Sequence, residues 1–85
     1  MVIRYKSAAE RFNHRMRWEM YTIIGQNAWA STYHLAASMR KSLDANLRTQ
    51  RVYRELKRME SVGLISRHKM SSANNICWQL RKNPS

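Results

Sequence analysis

Little in this sequence can turn a chain sharply or lock it covalently. Its 85 residues include one proline, two glycines and one cysteine. A many-stranded β fold needs tight turns at short intervals, so scarce Gly and Pro favour helices. The single Cys77 forms no internal disulfide. That argues against a cystine-stapled scaffold and, with no signal-peptide pattern in the first residues, leads us to expect a reducing, cytoplasmic setting. No apolar run approaches the length needed to span a bilayer, so no membrane partner is expected. Acidic residues are the next shortage, 5 Asp plus Glu against 16 Lys plus Arg, for a net charge of +11. An excess of that size points to a polyanion, most often nucleic acid. Arg outnumbers Lys, which suits bidentate contacts to phosphate or guanine.

Catalytic and cofactor readings find nothing to build on. His14, His34, His68 and Cys77 fall on different expected elements, without metal-ligand spacing. Gly25 and Gly63 are isolated, so no glycine-rich phosphate loop exists. Glu55 and Glu60 are placed for helix ion pairs with Arg51, Lys57 or Arg58. We therefore expect no enzyme, no metal and no cofactor.

What is present is core material, 44% hydrophobic residues with three Trp, four Tyr and six Met, enough for one small domain. Residues 46–65 carry the clearest pattern. At about 100° per residue, Val52, Leu56 and Met59 fall within about 60° of one another, a narrow stripe able to sit on a core. Gln50, Arg54 and Lys57 point the other way, with Arg51 and Arg58 on one flank and Tyr53 on the other. Thr49 is a candidate cap, with Asn46 and Asp44 as earlier options. Gly63 suits a left-handed stop.

Before this helix, residues 1–7 form a basic arm. Ser7 and Glu10 have capping-box spacing for a first helix over 8–26, which Gly25, Gln26 and Asn27 end. Its core face is Phe12, Met16, Met20 and Ile23, a stripe needed for packing rather than for a membrane surface. The opposite face clusters His14, Trp18 and Tyr21, which either lies under the N-terminal arm or the C-terminal tail or forms a dimer interface. Residues 28–30 read as an extended link or one small strand. Ser31 or Thr32 caps a second helix over 32–40, with Leu35, Ala36 and Met39 inward. The link 41–48 is polar and irregular, with room for a helical turn, and Leu43 and Leu47 plug the core. The third helix covers 49–62. From 64 to 81 the period changes to two, with Ile65, Arg67 and Lys69 on one strand and Ile76, Trp78 and Leu80 on the other. Asn74 and Asn75 suit the tip, being tolerant of positive φ. Residues 82–85 form a tail. The fold class expected is mainly α with a C-terminal β-hairpin (α+β).

Helix, strand, helix, helix and hairpin, with a basic third helix, is the order of a winged helix domain. WASTYHLAASM (29–39), RVYRELKRMESVGLI (51–65) and the hairpin from 66 to 80 carry the likeness. The VYRELKRMESVGLI segment resembles the recognition helix and strand entry of bacterial and phage-type winged helix-turn-helix DNA-binding domains. The resemblance implies a small transcriptional regulator in a bacterial or phage-infected cell, of phage or plasmid origin given its bare form, with double-stranded DNA as partner. It implies a third helix in the major groove and a wing along the backbone or an adjacent groove. Base contacts then fall to Gln50, Arg51 and Arg54, near the helix start. Arg48, Thr49, Tyr53, Lys57 and Arg58 join them on the same face, the last two toward phosphate. Arg67, Lys69, Ser71, Ser72, Asn74 and Asn75 are the wing candidates. Two alternatives stay open, a protein-interaction module that grips a partner through Trp18 and Tyr21 or through the third helix, and RNA binding by the same basic face.

Overall fold

A computed structural model describes residues 7–81. The N-terminal arm and the C-terminal tail read from the sequence otherwise lie outside the described residues. The order is α1 (Ala8–Gln26), β1 (Trp29–Ser31), α2 (Thr32–Ser42), α3 (Thr49–Ser61), β2 (Ile65–Arg67) and β3 (Cys77–Leu80). Three helices thus accompany a three-stranded antiparallel sheet in an α+β architecture.

The sheet order is β1-β3-β2, so the last strand sits in the middle. β1 meets it through Trp29↔Gln79, Ala30↔Trp78 and Ser31↔Cys77. β2 meets it through Ile65↔Leu80, Ser66↔Gln79 and Arg67↔Trp78. The strands are shorter than their period-two pattern suggests. Beyond Arg67 one more backbone bond forms, from the His68 N–H to the Cys77 carbonyl at 2.8 Å, and the Ser71 hydroxyl then takes over, accepting from the Cys77 N–H at 2.9 Å and donating to the His68 carbonyl at 2.7 Å. Pairing returns only as a bridge between Ser72 and Asn75 around the tip. Neither Asn74 nor Asn75 takes positive φ, against expectation, since Ala28 is the one non-glycine residue that does among those described.

α1 starts where Ser7 accepts the Glu10 N–H at 3.2 Å. Its buried row is Met16, Met20 and Ile24, while Phe12 and Ile23, read as core, are half-buried. The sheet packs on the last turns of α1, which moves the row one residue on, to Ile24. Gly25 lies inside the helix rather than ending it. A Cβ there would stand 3.2 Å from the Leu80 side chain, so the glycine admits β3.

α2 is capped by Ser31, which accepts from the His34 N–H at 3.1 Å, and runs two residues past the expected end, to Ser42. Leu47 is buried and Leu43 half-buried, as plugs for the link. α3 stops at Ser61, one residue earlier than expected. Its exit satisfies two orphan carbonyls, with Leu64 N–H donating to Met59 O and Gly63 N–H to Glu60 O, both at 3.0 Å. With Gly63 at φ 85°, this is the Schellman stop.

The core joins the three helices to β2 and β3 through Met16, Met20, Ile24, Leu35, Met39, Val52, Leu56, Met59, Ile65 and Trp78, each fully buried. Four of the ten are methionines, whose unbranched chains fill irregular gaps between helices and sheet. The Trp78 indole donates to Thr32 Oγ1 at 2.9 Å, and that hydroxyl donates to the Ile76 carbonyl at 2.7 Å. A buried indole N–H is thereby satisfied, and the start of α2 is tied to the β2–β3 hairpin. Cys77 is 5% exposed.

Candidate nucleic-acid interface

α3 presents its outer face because its inner one is fully used. Val52, Leu56 and Met59 enter the core, and Glu55 goes in with them at 7% exposed. The expected i, i+4 pairing of Glu55 along α3 does not form. Its Oε1 instead lies 2.7 Å from Arg17 Nε on α1. The Arg17 N–H is aimed at the Asn13 carbonyl, 3.3 Å away, so charge rather than an aligned hydrogen bond holds Glu55. Glu60 likewise turns away from its own helix, to Arg67 on β2 at 3.2 Å. On α3, therefore, both carboxylates are drawn off the outer face.

The start of α3 is set by a residue the sequence did not single out. Arg40, in the last turn of α2, donates from Nε to the Leu47 carbonyl at 2.7 Å and from Nη2 to Thr49 Oγ1 at 2.6 Å. This fork fixes the angle between α2 and α3. In sequence Arg40 was only another cation in a basic chain. Asp44 Oδ1 accepts the Asn46 N–H at 2.9 Å, closing the link. The N-cap is Arg48, without a side-chain cap, rather than Thr49, Asn46 or Asp44. The Arg51 N–H donates back to the Arg48 carbonyl at 3.1 Å, and the Thr49 and Gln50 amides ahead of it have no side-chain cap, at the end where the helix dipole favours negative charge.

The residues expected at the interface divide into two groups. Arg48 at the N-cap of α3 and Gln50, Arg54, Lys57 and Arg58 on it are exposed, as are Lys69, Ser72 and Asn74 on the hairpin. Among the described residues none of these cations has a carboxylate partner. The second group is engaged internally. Arg51 donates to Asn13 Oδ1 at 3.1 Å and lies over the Phe12 ring at 4.7 Å, so it leans on α1. Thr49 receives Arg40, and the Ser71 hydroxyl belongs to the hairpin.

Tyr53 and Arg67 form a joint between α3 and the wing. The Tyr53 ring is 6.3 Å from the Trp78 ring, and its hydroxyl accepts from Arg67 Nη2 at 3.5 Å. Arg67 also stands over Trp78 at 5.6 Å. Desolvation opposes the charge on Arg67, but the hydrogen bond and charge of Glu60, joined by Tyr53, outweigh it and hold its pKa above the usual value. Lys57 Nζ sits 5.9 Å from the Tyr53 ring centre, which steadies its stem on the outer face.

A cleft of 370 Å³ opens between the start of α3 and the wing tip, lined among others by Tyr33, Gln50, Tyr53 and Asn74. Tyr33, 57% exposed, was not singled out from the sequence. Its backbone N–H donates to Asn75 Oδ1 at 3.5 Å, so the starts of α2 and α3 both open on the cleft. Only the fold brings Tyr33 there, since 40 residues separate it from the wing tip at Ala73.

His14, Trp18 and Tyr21 come together on α1 in edge-to-face contacts, with ring centres 6.3 and 6.2 Å apart. Trp18 is 59% exposed. No group of three or more His, Cys, Asp or Glu side chains that could hold a metal gathers among the described residues, and no helix is long and apolar enough to cross a membrane. Comparison with protein-family models, with curated proteins and with solved structures finds no match to this chain.

Proposed function

We propose that this chain is a winged helix-turn-helix protein that binds double-stranded DNA sequence-specifically and acts as a small transcriptional regulator. One observation carries the reading. The outer face of α3 holds exposed cations and Gln50, while both glutamates of the same helix are pulled to Arg17 and Arg67. A helix of this width fits the major groove. Gln50 and Arg54 then read base edges, and Arg48, Lys57 and Arg58 meet phosphates on either side. Lys69, Ser72 and Asn74 lie along the adjacent backbone. The sheet order β1-β3-β2 supports the winged reading, because it sets the β2–β3 hairpin beside α3. Arg51, turned to α1, takes a supporting part through Asn13.

The test is selection of bound duplexes from a random library, followed by salt titration on the enriched site. Enrichment of one motif, with a log–log salt slope of about 0.9 per phosphate neutralised, is the expected result. Retention of duplex RNA or single strands in preference to duplex DNA, or recovery of no motif, overturns the reading.

A further inference from the structure

We infer that the apolar groove between α1 and the end of α3 is a docking site for an acidic, amphipathic segment of a partner protein. The groove encloses 290 Å³ and is lined by His14, Arg17, Trp18, Tyr21 and Leu64. Its size suits one bulky anchor side chain rather than a whole ligand. The floor is aromatic and aliphatic, and exposed Trp18, Leu64 and Val62 continue it onto the surface. A patch of this kind on a small domain marks an interaction surface, and Trp and Tyr are the side chains that dominate such contacts.

Charge selects the occupant. Arg17 lines the groove, and its side chain stays 30% exposed beyond its pairing with Glu55. Arg81 adjoins it, since its N–H donates to the Leu64 carbonyl at 3.2 Å and its guanidinium lies 3.2 Å from where a Cβ on Gly63 would be. The far side of Trp18 is different. There Glu19 is held by Arg15 at 3.3 Å and by the Ser42 hydroxyl at 2.6 Å, beside a second groove lined by Glu19 and Ser42. A segment crossing Trp18 therefore meets the carboxylate of Glu19 on one side and, on the Leu64 side, Arg81, which has no carboxylate partner among the described residues, and this orients it. A second copy would set two basic rims against each other in a chain of net charge +11. Residues 1–6 carry Arg4 and Lys6 and residues 82–85 carry Lys82, with no acidic side chain in either stretch. Complementarity thus favours a carboxylate-rich partner over this chain's own ends or a twin.

The probe is a fluorescently labelled helical peptide with Asp and Glu along one side and Leu and Phe along the other, titrated with full-length protein and read by anisotropy. Saturable binding is expected. It should fall at least about tenfold when Lys replaces the acidic residues, or Ala replaces Leu and Phe. Trp18→Ser and Leu64→Ser should each weaken it at least about tenfold while their circular dichroism melts and DNA affinities stay at wild-type values. Three results overturn the inference. The Ala-substituted peptide binds as well as the parent, or Trp18→Ser binds undiminished. Wild-type protein alone sediments as a dimer that Trp18→Glu dissolves, making a second copy the occupant. Or the peptide binds only after removal of residues 1–6 or 82–85, making the chain's own end the occupant.

Discussion

The inward and outward faces of α3 both carry charge, and the fold treats the two in opposite ways. Inward, Glu55 is buried beside Leu56 and neutralised by a partner from another helix. Outward, Arg54, Lys57 and Arg58 are left to solvent with no carboxylate partner among the described residues. The difference separates two jobs. A buried charge must be matched before the chain can fold. An exposed one costs little until an anion arrives, and is then free to bind it. Substitutions on the two faces should therefore be read by different instruments.

The sharpest break is Arg17→Ala, which leaves Glu55 buried without its counter-charge. Loss of one partner of a buried pair costs about 3–5 kcal/mol, to be measured by urea unfolding. Glu55→Ala should cost less, because the stranded Arg17 side chain is 30% exposed and can be hydrated. Equal losses would mean the pair matters through packing alone. Leu56→Ala comes next, at about 2–5 kcal/mol for a fully buried leucine. DNA affinity of the remaining folded fraction should be unchanged, since Leu56 faces away from the side proposed to read DNA.

On the outer face the scale shifts from stability to recognition. Arg54→Ala should leave the melt within about 0.5 kcal/mol and reduce discrimination at one base pair by about 1–3 kcal/mol, measured by competition between the selected site and its single-base variants. Lys57→Ala should weaken all duplexes alike and lower the salt slope by about 0.9. Loss confined to one sequence would move Lys57 among the base readers. The smallest effect belongs to the exposed pair that joins the two regions. Breaking Arg67–Glu60 with Glu60→Gln should cost under about 1 kcal/mol.

The sequence disclosed the helices through period and punctuation, because Ser7, Ser31 and Gly63 act locally, within one turn of their own position. It disclosed the exposed cations of α3 for the same reason. It did not disclose partners set by tertiary approach. Nothing near Glu55 distinguishes a buried glutamate from a surface one, since its counter-charge is 38 residues away in sequence. Gly25 looked like a helix end because the cause of its small size, Leu80, comes from the last strand. Ile23 and Ile24 are adjacent and equally apolar, and only the sheet beneath α1 decides between them. Arg40 carried no local mark of its task, which exists only once Leu47 and Thr49 come round to meet it.

Cys77 supplies a consequence of a practical kind. It is the chain's one thiol, buried at the start of the central strand with its Sγ 3.9 Å from the Met70 and Asn75 carbonyls of the hairpin. A thiol so placed reacts when the hairpin opens around it. Its alkylation rate is therefore a clock for hairpin opening, readable by mass spectrometry at concentrations too low for calorimetry. If DNA bound to α3 and the wing braces the hairpin, that clock should slow in the complex.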